Sequence, residues 1–253
     1  MTNQTVPSSS DAPKTCWQAR SDEEIAKHLD RRNLKYRHGW PRLPPFPLNT
    51  IRRGAHAHLG ENEQFHHELD DAVREICNAR QIEATDIFFA WRVPQVKDPE
   101  KSYFTLVIQA NLRSEPVLDD AIIQIRKYLQ ERKSTEAVTI EIIDSRILNN
   151  VYSFPIKCRA DEWVYDNEHI TFQVAVDEVE KQGENWLLLQ SSRRGLENDR
   201  ELCTPMLVIT SKTADRDIWA DAIIPNIERE LASRELPLKV EVLAWDGPVF
   251  RFC

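Results

Sequence analysis

The chain has 253 residues, 41 acidic against 33 basic, a net charge of −8 and 41% hydrophobic content. Such a make-up is that of a globular protein of one large domain or two small ones. No apolar run approaches the about 20 residues of a membrane-spanning helix. Six glycines, no two closer than Gly54 and Gly60, leave no GxGxxG and no GxxxxGK[ST], which excludes the glycine-rich phosphate cradles.

In chain order, residues 1–20 are polar and lack apolar periodicity, so a disordered tail without a secretory h-region is predicted. Ser21-Asp22-Glu23-Glu24 has the spacing of a capping box and opens a helix with a narrow stripe at Ile25 and Leu29. The prolines of Gly39-Trp40-Pro41-Arg42-Leu43-Pro44-Pro45-Phe46-Pro47 predict polyproline II or a loop. Residues 21–54 thus form a basic helix and a proline-rich arm. Glu63 to Arg80 reads as a helix, Asp86–Val93 and Tyr103–Gln109 as a strand hairpin, and Ser114-Glu115-Pro116 as the start of a second helix. Val138–Ile142 alternates with period two, as a strand does. Between Leu148 and Gln182 the sequence offers a strand at His169–Val176 and a polar helical turn over Val176–Gln182.

The pattern then recurs. Thr105–Ile108 corresponds to Met206–Ile209, and Asp120-Ala121-Ile122-Ile123 matches Asp221-Ala222-Ile223-Ile224 letter for letter, both at an offset of 101. Ile125 and Leu129 answer to Ile227 and Leu231 at 102, with the extra residue at Pro225, where a kink or bulge is expected. Val138–Ile143 answers to Leu238–Leu243 at 100, and Ile87–Ala90 to Trp186–Leu189 at 99. The fold class expected is α/β (or α+β): two tandem ββαβ units in a pseudo-two-fold, two-layer sandwich with mixed sheets, each copy covering the other's apolar face. The units are placed at residues 55–150 and 151–253, packed as one body. Met206–Thr210, Asp217-Ile218-Trp219 and Lys239-Val240-Glu241-Val242 resemble a module of uncharacterised proteins of filamentous fungi, a resemblance that implies a fold and no activity.

Charge is unevenly spread. Residues 26–53 hold eight cations and one anion, a net +7 that leaves −15 for the rest. Arg31, Arg32, Lys35, Arg37, Arg42, Arg52 and Arg53 interleave with Trp40 and other aromatic residues. That mixture suits an acidic partner protein or the chain's own acidic surface; net charge disfavours nucleic acid. Leu43–Pro47 lacks the register of an SH3 ligand, because its Arg42 is one step out of place. His56 and His58 would face one way on a strand and could ligate a metal with Glu68, Asp70 or Asp71, while the adjacent His66 and His67 diverge on a helix. The simpler reading of these histidines is a polar surface. No GxSxG elbow occurs. Cys77 lies on the apolar side of its helix, which predicts an inert thiol, and Cys158 has cationic neighbours. Glu141 and Glu241 read as outward charges that blunt a sheet edge.

Five scattered cysteines without a CxxC pair predict free thiols in a cytoplasmic or nuclear protein that is not secreted. Cys253 is not four residues from the end, so a prenylation box is absent. No cofactor is implied. The leading expectation is a non-catalytic intracellular interaction protein that contacts an acidic partner with its basic aromatic arm. The rivals are a small-molecule hydrolase or metal-dependent enzyme with a pocket between the units, and a self-assembling, homo-oligomeric structural protein.

Overall fold

The computed structural model describes residues 16–30, 36–55, 63–95, 102–112, 114–132, 138–148, 150–156 and 161–244. These fall into two compact units, the first within Met1–Leu43, Ile51–Arg92 and Lys101–Ser145, the second within Pro44–Thr50, Val93–Glu100 and Arg146–Cys253.

The first sheet is mixed and runs β1 (Arg37–Trp40), β5 (Thr139–Asp144), β4 (Tyr103–Ala110), β3 (Ala84–Pro94), β2 (Leu48–Ile51) in spatial order. Helices α2 (Glu63–Asn78) and α3 (Glu115–Glu131) cover one face. The strand period of two sends Phe104, Leu106, Ile108 and Ala110 of β4 to that face. The helical period brings Leu118, Ala121, Ile122, Ile125 and Leu129 of α3 down to meet them, beside Leu69, Val73 and Cys77 of α2. The opposite face is buried too, through Ala90, Arg92, Thr105, Val107, Thr139, Glu141 and Ile143. A short helix, α1 (Asp22–Ala26), opens with the expected capping box: Ser21 Oγ accepts from the Glu24 amide at 3.2 Å and Glu24 Oε2 accepts from the Ser21 amide at 3.1 Å.

The second sheet is β6 (Tyr152–Pro155), β7 (Leu188–Gly195), β8 (Thr204–Ser211), β9 (Lys239–Ala244). Its helix layer contains α4 (Glu162–Asp166), α5 (Glu168–Lys181) and α6 (Ile224–Ser233). The protein is therefore a mixed α/β fold with two mixed sheets and, among the described residues, six α-helices.

The two units share an order of elements. In each, an antiparallel hairpin (β3–β4, β7–β8) is followed by a helix and a parallel strand (β5, β9). Thr105 lies opposite Thr139 and Met206 opposite Lys239, so the strand register coincides at offsets of 101 and 100. A helix also precedes each hairpin. After α2 the Ile82 amide returns to the Cys77 carbonyl past Gln81 at φ 58°, and after α5 the Glu184 amide returns to the Val179 carbonyl past Gly183 at φ 70°, the same left-handed cap twice.

Several expectations need correction. His169–Val176 is not a strand but part of α5, because Thr171, Val174, Ala175 and Val179 form a buried helical stripe. Phe88 pairs with Val107 and Gln190 with Val208, so β3 and β7 correspond at an offset of 102, not 99. Glu141 and Glu241 do not point outward; both are buried. Trp17 and Ala19, placed in the tail, join the first core; the rest of the tail, up to residue 15, lies outside the described residues. Gly39 and Trp40 are not part of the proline-rich loop but end β1. Close approach explains the glycine: a Cβ at position 39 would lie 2.5 Å from the Ile140 carbonyl oxygen. The extra residue near Pro225 is taken up one turn earlier, in a π-helical turn over Trp219–Ile223. Proline lacks the amide and crowds the carbonyl four residues back, and the wider turn keeps Ile227 and Leu231 in the core.

Candidate functional site

The basic arm does not present its residues as expected. The Arg31, Arg32 and Lys35 positions lie outside the described residues, as do His56, His58 and Cys158. Arg37 is buried and donates to Glu141 Oε1 at 3.2 Å. Trp40 is buried, with the Arg126 guanidinium 4.4 Å from its ring centre and Trp17 packed at right angles, ring centres 5.2 Å apart. The reason is geometric: β1 is an edge strand of a sheet buried on both faces, so its three side chains, Arg37, His38 and Trp40, are buried whichever face they take. Arg42 is half-buried, and Arg53 is exposed. Arg52 is exposed, pairs with Asp86 at 2.8 Å and lies 3.3 Å over the Phe88 ring. Among the described residues no cluster of three or more His, Cys, Asp or Glu side chains has the geometry to hold a metal ion.

Buried charge is consumed by the fold. Glu141 Oε1 accepts from Arg92 Nη2 at 3.1 Å and from Arg37 at 3.2 Å, with Arg92 Nε an ion-pair contact at 2.8 Å. Glu241 takes Arg194 Nε at 2.6 Å and Nη2 at 3.2 Å, and Asn150 accepts the same Nη2. Cys77 is buried, and desolvation pushes its thiol up to about 11, with Arg80 and Arg74 opposing, so the nucleophilic thiolate is suppressed as expected. The open groove between α5 and α6 is spoken for in the same way. Burial raises the Glu178 carboxyl, but hydrogen bonds from Asn226, Gln182 and Lys181 outweigh it and hold the group below its usual range.

A group of exposed large side chains lies at one end of the second sheet. Asp161, wholly buried, accepts from Arg193 Nη2 at 2.7 Å and Nε at 2.9 Å and also from Arg200. Arg193 in turn donates to the Cys203 carbonyl at 2.6 Å. The hydrogen bond from Asp161 holds the Arg193 guanidinium firmly in its charged form. Asp161 also starts α4, its carbonyl accepting the Val164 and Tyr165 amides. One carboxylate thus ties α4 to the strand β7 and to the 3₁₀ turn Arg200–Leu202.

Four large side chains stand out from this knot: Leu202 is 67% exposed, Tyr165 57%, Trp163 40% and Tyr152 37%. Tyr152 belongs there by register. Phe154 lies opposite Arg193 and Tyr152 opposite Gly195, so both share the face of the sheet to which Arg193 points. In α4 only Val164 is buried, which turns its neighbours Trp163 and Tyr165 outward. Trp186, 39% exposed, precedes β7 at its other end and is not part of this group.

Comparison with protein-family models, with curated proteins and with solved structures finds no match. What the surface offers is therefore read from its own chemistry. Among the described residues at its centre, the arginines and the aspartate satisfy one another. It has rigid, amphipathic rings on a tied-down base, the type of surface that proteins use to dock. The sequence reading missed it because Glu162-Trp163-Val164-Tyr165-Asp166 lay in the segment between the two units. The usable signal was two aromatic residues flanking a lone aliphatic one amid charges.

Proposed function

We propose that this chain is a non-catalytic intracellular interaction protein and that a partner protein docks on Tyr152, Trp163, Tyr165 and Leu202. The observation that carries this reading is the exposure of four large apolar side chains on a scaffold fixed by Asp161, Arg193 and Arg200. Tryptophan and tyrosine are over-represented among residues that dominate binding energy, and a rigid base lowers the ordering cost of association. The contact surface thereby moves from the basic arm to the second unit. The same proposal treats the two units as copies of one motif, on the strength of their common register and of the buried Arg–Glu pair that each contains.

Capture from cell extract with the full-length chain tests the reading. The variant Trp163→Ala with Leu202→Ser should lose partners that wild type and Ile51→Ser, an exposed change in the first unit, both retain. Circular dichroism checks that each variant is folded. Equal recovery by all three proteins would contradict the proposal.

A further inference from the structure

Among the described residues of α4 and of the 3₁₀ turn, the exposed charged side chains beside the rings are acidic. Glu162 and Asp166 flank Trp163 and Tyr165 on α4, and both are exposed. Neither carboxylate has an ion-pair or hydrogen-bond partner among the described residues. Across the Asp161 knot, Asp199 and Glu201 are exposed as well. Asp199 accepts the Glu201 amide at 3.0 Å, and Glu201 accepts Arg200 Nη1 at 2.6 Å. Arg193 turns inward on Asp161, Arg200 bridges Asp161 and Glu201, and Arg146 pairs with Glu197. On α4 two aromatic side chains thus lie beside two carboxylates, Glu162 and Asp166, that have no cationic partner among the described residues.

We propose that this surface takes a lysine- or arginine-rich segment of a partner protein, its cations stacking on Trp163 and Tyr165 while Glu162 and Asp166 pair with them. The inference rests on the interaction reading above and adds the chemistry of the partner. A cation over an indole or phenol ring is attracted by the ring quadrupole, and an adjacent carboxylate adds a charge-assisted hydrogen bond. A purely apolar partner would strip water from Glu162 and Asp166 without replacing it, which is costly. An acidic partner, a nucleic acid or an anionic membrane would meet like charge.

Binding of a fluorescein-labelled deca-arginine peptide, followed by anisotropy in about 0.15 M salt, tests this with the full chain. Wild type should bind it and should not bind deca-glutamate. Trp163→Ala and Tyr165→Ala should each weaken binding about two- to fivefold, the range of an exposed cation–π contact. Glu162→Gln with Asp166→Asn should weaken it further and flatten its salt dependence. Asp177→Asn with Glu230→Gln, which removes the same charge from the α5–α6 groove, should leave binding within about twofold, because charges beyond a Debye length are screened. Unchanged binding by the ring variants, or an equal loss in the groove variant, would overturn the proposal and leave only general attraction to an acidic protein. Self-association of the chain that Trp163→Ala abolishes would also overturn it, by making a second copy the occupant. If deca-arginine fails to bind while Trp163→Ala with Leu202→Ser still loses partners from extract, the basic ligand is wrong and the docking surface stands. If neither measurement responds, both fall.

Discussion

Glu241 receives Arg194 through two nitrogens, at 2.6 and 3.2 Å, on the face of the second sheet that carries no helix, with both side chains buried. Glu141 meets Arg92 at the corresponding place in the first sheet, where Arg37 of β1 joins them. Removing one member of such a pair leaves a buried charge without compensation. Glu241→Gln should therefore cost about 3–5 kcal/mol, whereas Arg194→Met combined with Glu241→Leu should be close to neutral. Glu141→Gln should cost more than Glu241→Gln, because it takes the carboxylate charge from two buried guanidinium groups instead of one. Urea denaturation of the three variants provides the check.

Asp161 has a different task. It is buried between Arg193 and Arg200 and starts α4, so it links the stability of that end of the sheet to the placement of the exposed rings. Asp161→Asn should cost about 3–5 kcal/mol, as expected for breaking a buried pair. Hydrogen exchange should quicken in residues 162–166 and 200–202 first. Protection that changes equally throughout the second unit would argue against a local anchor.

Cys77 gives a pH dependence. Its thiol is pushed up to about 11 from a usual value of 9.0. The fold thus favours the neutral thiol, and its contribution is complete below pH 9 and is lost as pH rises toward 11. Stability should fall across that window in wild type and fall less in Cys77→Val. At pH 8 the native Cys77 should resist alkylation that proceeds readily in urea.

Gly39 is a steric requirement, not a conformational one. The carbonyl of Ile140 and the Leu43 side chain occupy the space of a Cβ, at 2.5 and 2.6 Å. Since a backbone atom cannot step aside cheaply, Gly39→Ala should cost about 1–3 kcal/mol by overpacking. Thermal unfolding measures it, and an unchanged midpoint would contradict the close approach of β1 to β5.

Periodicity made the hairpins and the core helices legible. The apolar run of Tyr103–Gln109, the alternation of Val138–Ile142 and the apolar stripe of Leu118–Leu129 mark two strands and a helix, and all three form, the strands buried on both faces rather than one. The capping box at Ser21 and the disturbance near Pro225 were visible because each has a local stereochemical cause. Long-range pairing was not visible. Nothing in the residues around Arg92 or Arg194 indicates a glutamate 49 or 47 positions away, and a charged residue in an alternating strand reads as outward until both faces are known to be buried. In α5, Ile170, Val174 and Val176 suggested a strand by composition, yet burial at Thr171, Val174, Ala175 and Val179 follows the helical period. The candidate surface was hidden for a related reason: Trp163 and Tyr165 carry no periodic signal, because their significance lies in staying outside the core.

Photo-crosslinking from position 165 tests the docking surface most directly. A photoreactive phenylalanine replaces Tyr165, 57% exposed, in the full chain inside cells, with Arg229 on α6 replaced likewise as the reference. The expected result is a discrete heavier adduct from position 165 that disappears when Trp163→Ala is added and is absent from position 229. Adducts of equal yield from both positions, or an adduct at 165 that survives loss of Trp163, would contradict a specific partner on this surface.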